Sequence, residues 1–252
     1  MKKKPDIRIK TPEEIKTLRD AGRILAGIFG GIKSSLKVGM TTRDIDAVAE
    51  KLIAQEGVLP AFKGYRGYPA CACVSVNEEI VHGIPGDLVI KRGDIVSIDI
   101  GIVHQQYFSD MAVTVPFGEL DATRQKLVDV TRQALYKGIA QARSGLRLGD
   151  VSHAIQKYVE AKGFSIVRDF VGHGIGRELH EDPEIPNYGQ PGTGPVLKPG
   201  MVLAIEPMVN MGGYQTRTLK DGWTVIAVDG KPSAHFEHTI AVTEDGPLIL
   251  AE

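Results

Sequence analysis

Cysteine is nearly absent from this chain, with two in 252 residues, Cys71 and Cys73. Alternate residues of a strand share a face but are badly placed to bridge one another. A disulfide framework is therefore excluded, and both read as free thiols of a reducing cytosol. A C-x-C pair without further cysteine is also a weak signal for a thiolate metal site. Charge of one sign is missing too: 30 Lys and Arg stand against 31 Asp and Glu, a net charge of −1. No global field recruits nucleic acid or membrane. Long apolar runs are missing as well, since "ILAGIFGGI" (24–32) is far too short to span a bilayer. The start "MKKKPDIRIK" is followed by "TPEEIKTLRD" rather than by a secretory apolar core, so residues 1–10 read as a basic, solubilising tail. What remains is 42% hydrophobic with 29 glycines and 14 prolines. That describes an ordinary globular protein with room for one large domain or two small ones.

Thr11, Pro12 and Glu14 form a capping-box signature. Ile15, Leu18, Leu25, Ile28 and Ile32 follow at helical spacing and predict an amphipathic helix over 11–36. "TTRDIDAVAEKLIAQEG" predicts a second over 41–57, ended by Gly57. Residues 71–115 read as strands, 121–143 as a helix, and 150–163 as another helix ended by Gly163. Strands and loops dominate beyond 165. Asp229-Gly230 predicts a hairpin turn between "WTVIAV" and "HFEHTIAVT".

The second half echoes the first. "VGMTTRDIDAVAEKLIAQEG" (38–57) aligns without gaps on "SGLRLGDVSHAIQKYVEAKG" (144–163). Gly39 then falls on Gly145, Asp44 on Asp150, Lys51 on Lys157 and Gly57 on Gly163. "HGIP" at His82 is matched by "HGIG" at His173. "KRGDIVSID" (91–99) aligns on "KPGMVLAIE" (198–206), which places Asp99 opposite Glu206. Asp110 and Glu237 each open the apolar strand that follows. The expected fold class is α+β: two halves, approximately 11–120 and 121–252, related by a pseudo-twofold within a single catalytic domain 11–252, with a site between them.

Asp99 sits among the isoleucines of "DIVSIDIG", and Asp110 opens the next strand. A tight hairpin centred on His104-Gln105 would set the two directly opposite on one face, with Cα atoms roughly 4.5–5.5 Å apart. Two unpaired carboxylates that close and buried would repel, and one would stay protonated. Either a divalent cation or a nearby Arg or Lys relieves them, and the pair alone does not choose. Glu206 and Glu237 repeat the pattern, and His173 lies in a loop whose flanking glycines would let backbone approach a ligand. Four carboxylates and one imidazole carry too many oxygens for a structural zinc site. They suit two divalent transition ions about 3.5–4 Å apart. His104 reads as solvent-exposed at the turn.

"FVGHGIGRELHEDPEIPNY" (170–188) is the most specific motif. Together with "GYRGYPA", "SVNEEIVHGIPG", "SDMA", "GMVLAIEPM", "DGWTV" and "FEHTIAVT", it resembles the methionine aminopeptidases of the short bacterial type I, in the pita-bread superfamily. The resemblance runs from about residue 8 to the end. It implies that Asp99 chelates one metal, Asp110 and Glu237 bridge two, and His173 and Glu206 complete the second. It implies that His82 and His180 contact the substrate, with Glu206 as proton shuttle. Tyr65, Tyr68, Cys73 and Trp223 match positions around the methionine side chain, whereas Phe62 and Leu179 depart from the expected residues there. Asn77, Glu79 (through its backbone) and Ser233 match a loop site for a monovalent cation, K⁺ or Na⁺. The divalent ions implied are Mn, Fe or Co, with Zn as a further option. The substrates implied are nascent polypeptide N-termini with a small second residue. A cytoplasmic monomer is expected, without nucleic-acid or membrane partners, and a transient ribosome contact would suit an enzyme of nascent chains. Two rivals are a proline-specific peptidase on the same scaffold and a catalytically dead binding module. The second normally loses ligands, and here all five are present.

Overall fold

Helix starts follow the caps that the sequence supplies. The structure, a computed structural model, describes residues 5–251 and contains four α-helices: α1 (Pro12–Ser35), α2 (Thr42–Gln55), α3 (Ala122–Ile139) and α4 (Leu148–Ala161). At α1, Glu14 N donates to Thr11 Oγ1 at 3.2 Å while Thr11 N donates to Glu14 Oε2 at 2.9 Å. Thr41 and Asp44 repeat this reciprocal pair at α2, and Asp121 accepts the amides of Thr123 and Arg124 at α3. Helix α4 begins two residues before the expected position, because Asp150 reaches back to accept Arg147 N at 2.8 Å. Each reciprocal cap satisfies two amide donors that a helix start otherwise leaves unpaired.

The helices lie against a nine-stranded antiparallel sheet. Its path runs through strands Leu59–Pro60, Ile95–His104, Tyr107–Pro116, Glu237–Thr243, Val202–Ile205, Gly172–Gly174 and Glu181–Ile185. Strand Ala72–Val76 also pairs with Ile95–His104, and Gly246–Ile249 with Glu237–Thr243. Period-two alternation sorts the faces. Val96, Ile98, Ile100 and Ile102 pack with Leu25, Ile28, Ile32, Ile45 and Ile53 of α1 and α2, which leaves Ser97, Asp99 and Gly101 on the other face. In the second half, Leu127 and Leu135 of α3 and Val151 and Ile155 of α4 bury Leu203, Ile205 and Ile240. Each fully buried Leu or Ile contributes about 1.5–3 kcal/mol relative to exposure.

The pseudo-twofold is real at the level of single hydrogen bonds. Gly39 N donates to Ile90 O at 2.9 Å and Gly145 N to Leu197 O at 3.0 Å; Thr42 N donates to Leu88 O and Leu148 N to Pro195 O, both at 3.0 Å. Gly57 and Gly163, at the matched helix ends, have φ of 66° and 85°, a conformation that glycine adopts freely.

Three expectations change. The hairpin turns at Gln105-Gln106, with φ of 48° and 66°, and not at His104-Gln105. His104 pairs with Tyr107 and is half-buried, and Asp99 pairs with Ala112 while Gly101 pairs with Asp110. Asp99 and Asp110 are therefore diagonal neighbours, still on one face. Asp229-Gly230 makes a turn, with Gly230 at φ 68°, but no hairpin. Val225–Ala227 joins a small sheet with Thr216–Thr218 and Glu79–Val81, whereas Ser233–His235 joins another with Met208–Asn210 and Ser165–Ile166. The basic tail divides: residues 1–4 lie outside the described residues, whereas the rest is fastened down. Lys10, 7% exposed, forms an ion pair with Glu181, and Arg8 pairs with Glu178 at 2.9 Å.

Candidate metal centre and substrate pocket

The two central strands, Tyr107–Pro116 and Glu237–Thr243, bring Asp110 and Glu237 together across the pseudo-twofold. Their ladder pairs Glu237 with Ala112 and His238 with Met111. Thr239, fully buried, locks the seam: its hydroxyl accepts Asp110 N at 3.2 Å and donates to Asp110 O at 2.8 Å. His173 comes from strand Gly172–Gly174, and ligand atoms of Asp110, His173 and Glu237 lie within 4.8 Å of one another. His173 Nε2 is 3.7 Å from Glu206 Oε1. Asp99 and Asp110 are close enough to share a side-chain hydrogen bond. The structure thus gathers all five expected ligand residues: Asp99 and Asp110 from within two long strands, and His173, Glu206 and Glu237 from at or near strand ends.

The glycines beside His173 are required by strand packing. A Cβ at Gly172 would come within 2.4 Å of Ala204 O, and one at Gly174 within 2.2 Å of Asp182 O. They let the neighbouring strands' backbone pass close to the His173 strand.

Electrostatics make this a poor home for four carboxylates alone. Burial pushes the Asp110 carboxyl up to about 7. Asp99, Glu206 and Glu237 are also held above their ordinary values, by burial first and by neighbouring carboxylates second. Among the described residues no Lys or Arg pairs with any of the four; the only ion-pair neighbours are His173 and His235, both near Glu206. Asp99 Oδ1 and Glu237 Oε1 are buried without a hydrogen-bond partner. Orphaned carboxylate oxygens in an apolar setting carry a large desolvation penalty, which a cation removes. The imidazoles are tuned for the same task. Burial, and then the charge of His180, lower His173 to about 3 and His82 to about 4. His173 Nδ1 sits 2.9 Å from Gly174 O, so Nδ1 carries the proton and Nε2 offers its lone pair to the cluster. Oxygen and imidazole donors of this kind fit divalent transition ions.

Above the cluster is a cavity of about 150 Å³ lined by Phe62, Tyr65, Tyr68, Cys73, Trp223 and Leu179 among others, with His82 and His180 at its wall. Tyr68 and Trp223 meet edge-on at 5.1 Å, and the His82 ring packs edge-on to Phe170 at 5.5 Å. Tyr68 is anchored by donating to Ala72 O and Gly83 O. Cys73 pairs in register with Asp99; burial and that carboxylate hold its thiol well above the usual range, so it behaves as an inert apolar wall. Phe62 and Leu179, the two departures from the expected pocket, both face the cavity. At the loop site, Ser233 N donates to Asn77 O at 2.8 Å, the Ser233 hydroxyl donates to Val209 O, and Glu79 Oε2 accepts Val76 N. Asn77 and Ser233 therefore adjoin.

Sequence reasoning passed over two residues. His235, 1% exposed, has Nε2 without a hydrogen-bond partner and 3.7 Å from Glu206 Oε2; its two-residue offset from Glu237 was the available signal. Arg66 lines both this cavity and a larger outer cleft that carries His180, Glu178 and Glu184. Nothing in the sequence singles it out.

A family model of metallopeptidase family M24 matches residues 16–244, and the chain belongs to that family. Its fold is the pita-bread fold: superposition on the crystal structure of methionine aminopeptidase from Thermotoga maritima gives a TM-score of 0.96 at 52% identity, covering 98% of this chain and 99% of that one. Methionine aminopeptidase 1 of Bacillus subtilis is 55% identical over 241 residues, 96% of this chain and 97% of the relative. The Clostridium perfringens methionine aminopeptidase is 51% identical over 97% of this chain. The family and these end-to-end relatives define a metal-dependent aminopeptidase. The prolidase of Pyrococcus horikoshii is more distant, with a TM-score of 0.79 at 25% identity, covering 97% of this chain but 63% of the prolidase.

Proposed function

We propose that the chain removes methionine from the N-terminus of nascent proteins and peptides when the second residue is small. The observation that carries this is the buried four-carboxylate, one-imidazole cluster, with no Lys or Arg partner among the described residues, set beneath an aromatic cavity. Asp99 would chelate one ion, Asp110 and Glu237 would lie between two, and His173 and Glu206 would complete the second. Mn, Fe, Co and Zn ions all suit this donor set. When bound, such ions supply Lewis acidity toward a water and a peptide carbonyl. Glu206, whose carboxyl is held above its ordinary value by burial and by Asp110, is suited to take a proton on a carboxylate oxygen and deliver it to the leaving amine. His82 and His180 hold the peptide amide and donate to its oxygen as charge develops. Tyr65, Tyr68, Cys73 and Trp223, with Phe62 and Leu179, enclose the methionine side chain and exclude water. Asn77, the Glu79 backbone and Ser233 would hold a K⁺ or Na⁺ ion. A cytoplasmic monomer meeting nascent chains at the ribosome completes the proposal; no described helix is long and apolar enough to cross a membrane.

The test is direct. Purified protein is loaded with Mn²⁺, Fe²⁺ or Co²⁺ and given Met-Gly-type, Met-Arg-type and Xaa-Pro peptides. Selective release of methionine from the first is expected. Equal cleavage of the first two would overturn the size selection, and turnover of Xaa-Pro alone would move the chain to the prolidase activity.

A further inference from the structure

We infer that Tyr65 is a positioning residue: its phenol donates to His180 Nδ1 and so fixes the ring proton on Nε2, the nitrogen left free to meet a substrate. Tyr65 Oη lies 2.8 Å from His180 Nδ1, and the two rings stack with centroids 5.3 Å apart at 29°. The proton could in principle sit on either atom of this bond. Three features place it on the phenol. A phenol is a better donor than acceptor, and neutral imidazole prefers its Nε2–H tautomer. Arg66 strengthens the phenol further: its Cζ stands 5.3 Å from the Tyr65 ring centroid, drawing electron density from the ring. Arg66 holds this position with φ 47°, a left-handed conformation that non-glycine residues adopt at some strain.

Beside it, His173 is set the opposite way. Its ring centroid is 4.3 Å from that of His180, yet its Nδ1 faces the Gly174 carbonyl, so its Nε2 is an acceptor. Two adjacent imidazoles are thus assigned contrary roles by their Nδ1 partners, one as ligand and one as donor. The catalytic purpose of this arrangement rests on the aminopeptidase reading; the proton position does not.

Long-range ¹H–¹⁵N correlation on zinc-loaded, [¹⁵N]histidine-labelled protein, with His180 assigned through His180→Asn, reads the tautomer directly. The wild type should show Nε2–H at His180. Tyr65→Phe, which keeps the ring and removes the donor, should show a tautomer mixture. Its kcat on a Met-Ala-Ser peptide should fall about tenfold with KM within about twofold, the size expected for loss of one aligned hydrogen bond. An Nδ1–H signature in the wild type, or an unchanged signature in Tyr65→Phe, would overturn the assignment. Wild-type protein that cleaved no methionyl peptide would instead overturn the aminopeptidase reading and leave the tautomer result standing.

Discussion

Replacing Asp110 with Asn should make the metal-free protein more resistant to alkaline pH while disabling its metal centre. Burial raises the Asp110 carboxyl from 3.8 to about 7 in the folded, metal-free chain. A raised folded value means that the stability this group contributes is complete below pH about 4 and is lost as pH rises through about 7. At about 1.4 kcal/mol per pH unit, with the slope halving as the folded group titrates, wild type should lose roughly 2 kcal/mol between pH 5 and pH 7 through this residue. For a chain of this size that is on the order of 5–10 °C in melting temperature. His173, His235 and His82, all lowered mainly by burial, act with the opposite sign below about pH 6.5. The informative quantity is therefore the difference between variant and wild type, in which the histidines cancel. Melts of chelator-treated Asp110→Asn and wild type should diverge steadily from pH 5 to 7 in favour of the variant. With saturating Mn²⁺ at pH 8 the gap should narrow sharply, because only wild type gains about 2.7 kcal/mol at a hundredfold excess of ion over Kd. Parallel pH curves in chelator, or equal metal stabilisation of both proteins, would refute the electrostatic account.

Thr239→Val removes a buried hydroxyl that both accepts from and donates to the Asp110 backbone; a loss of about 1–3 kcal/mol in denaturant unfolding is expected, and an unchanged midpoint would count against the lock. A Cβ at Gly101 would stand 2.7 Å from Phe62 Cε1, so Gly101→Ala should push that ring into the cavity and raise KM for methionyl peptides several-fold while metal stoichiometry, read by titration, stays the same. The Lys10 and Glu181 side chains are only 5% and 2% exposed, so Lys10→Met should destabilise by roughly 3–5 kcal/mol. Adding Glu181→Gln should restore part of the melting temperature, and no recovery would argue that packing rather than the weakened pairing of Glu181, left with Arg8 at 3.6 Å, is at fault.

Much of the fold and the ligand set could be read from the sequence because both repeat. Helix caps, glycine stops and the alignment of Asp99 on Glu206 each recur at matched places, so one half checks the other. Register was harder. A Gln-Gln turn with two positive φ values carries no Asn or Gly signature, so the turn falls one residue later than its composition suggests. Moving a turn by one residue shifts pairing by two, and so the wrong register still left Asp99 and Asp110 on the correct face. Asp229-Gly230 misled for another reason: turn chemistry is local, whereas the destinations of the flanking strands are decided by sheet packing. Residues such as Arg66, Tyr65 toward His180, and Lys10 toward Glu181 act across more than a hundred positions of chain, beyond any local pattern.

The seam between the halves has a mechanical consequence. Only two residue pairs join strands Tyr107–Pro116 and Glu237–Thr243 in register, and the carboxylates that crowd this join repel each other. Ions gripped by both halves would act as rivets through this short join. Cohesion of the two halves and readiness for catalysis are then a single property. Stripping the ions should quicken amide hydrogen exchange at residues 110–112 and 237–239 before it is felt in the helices that cover them.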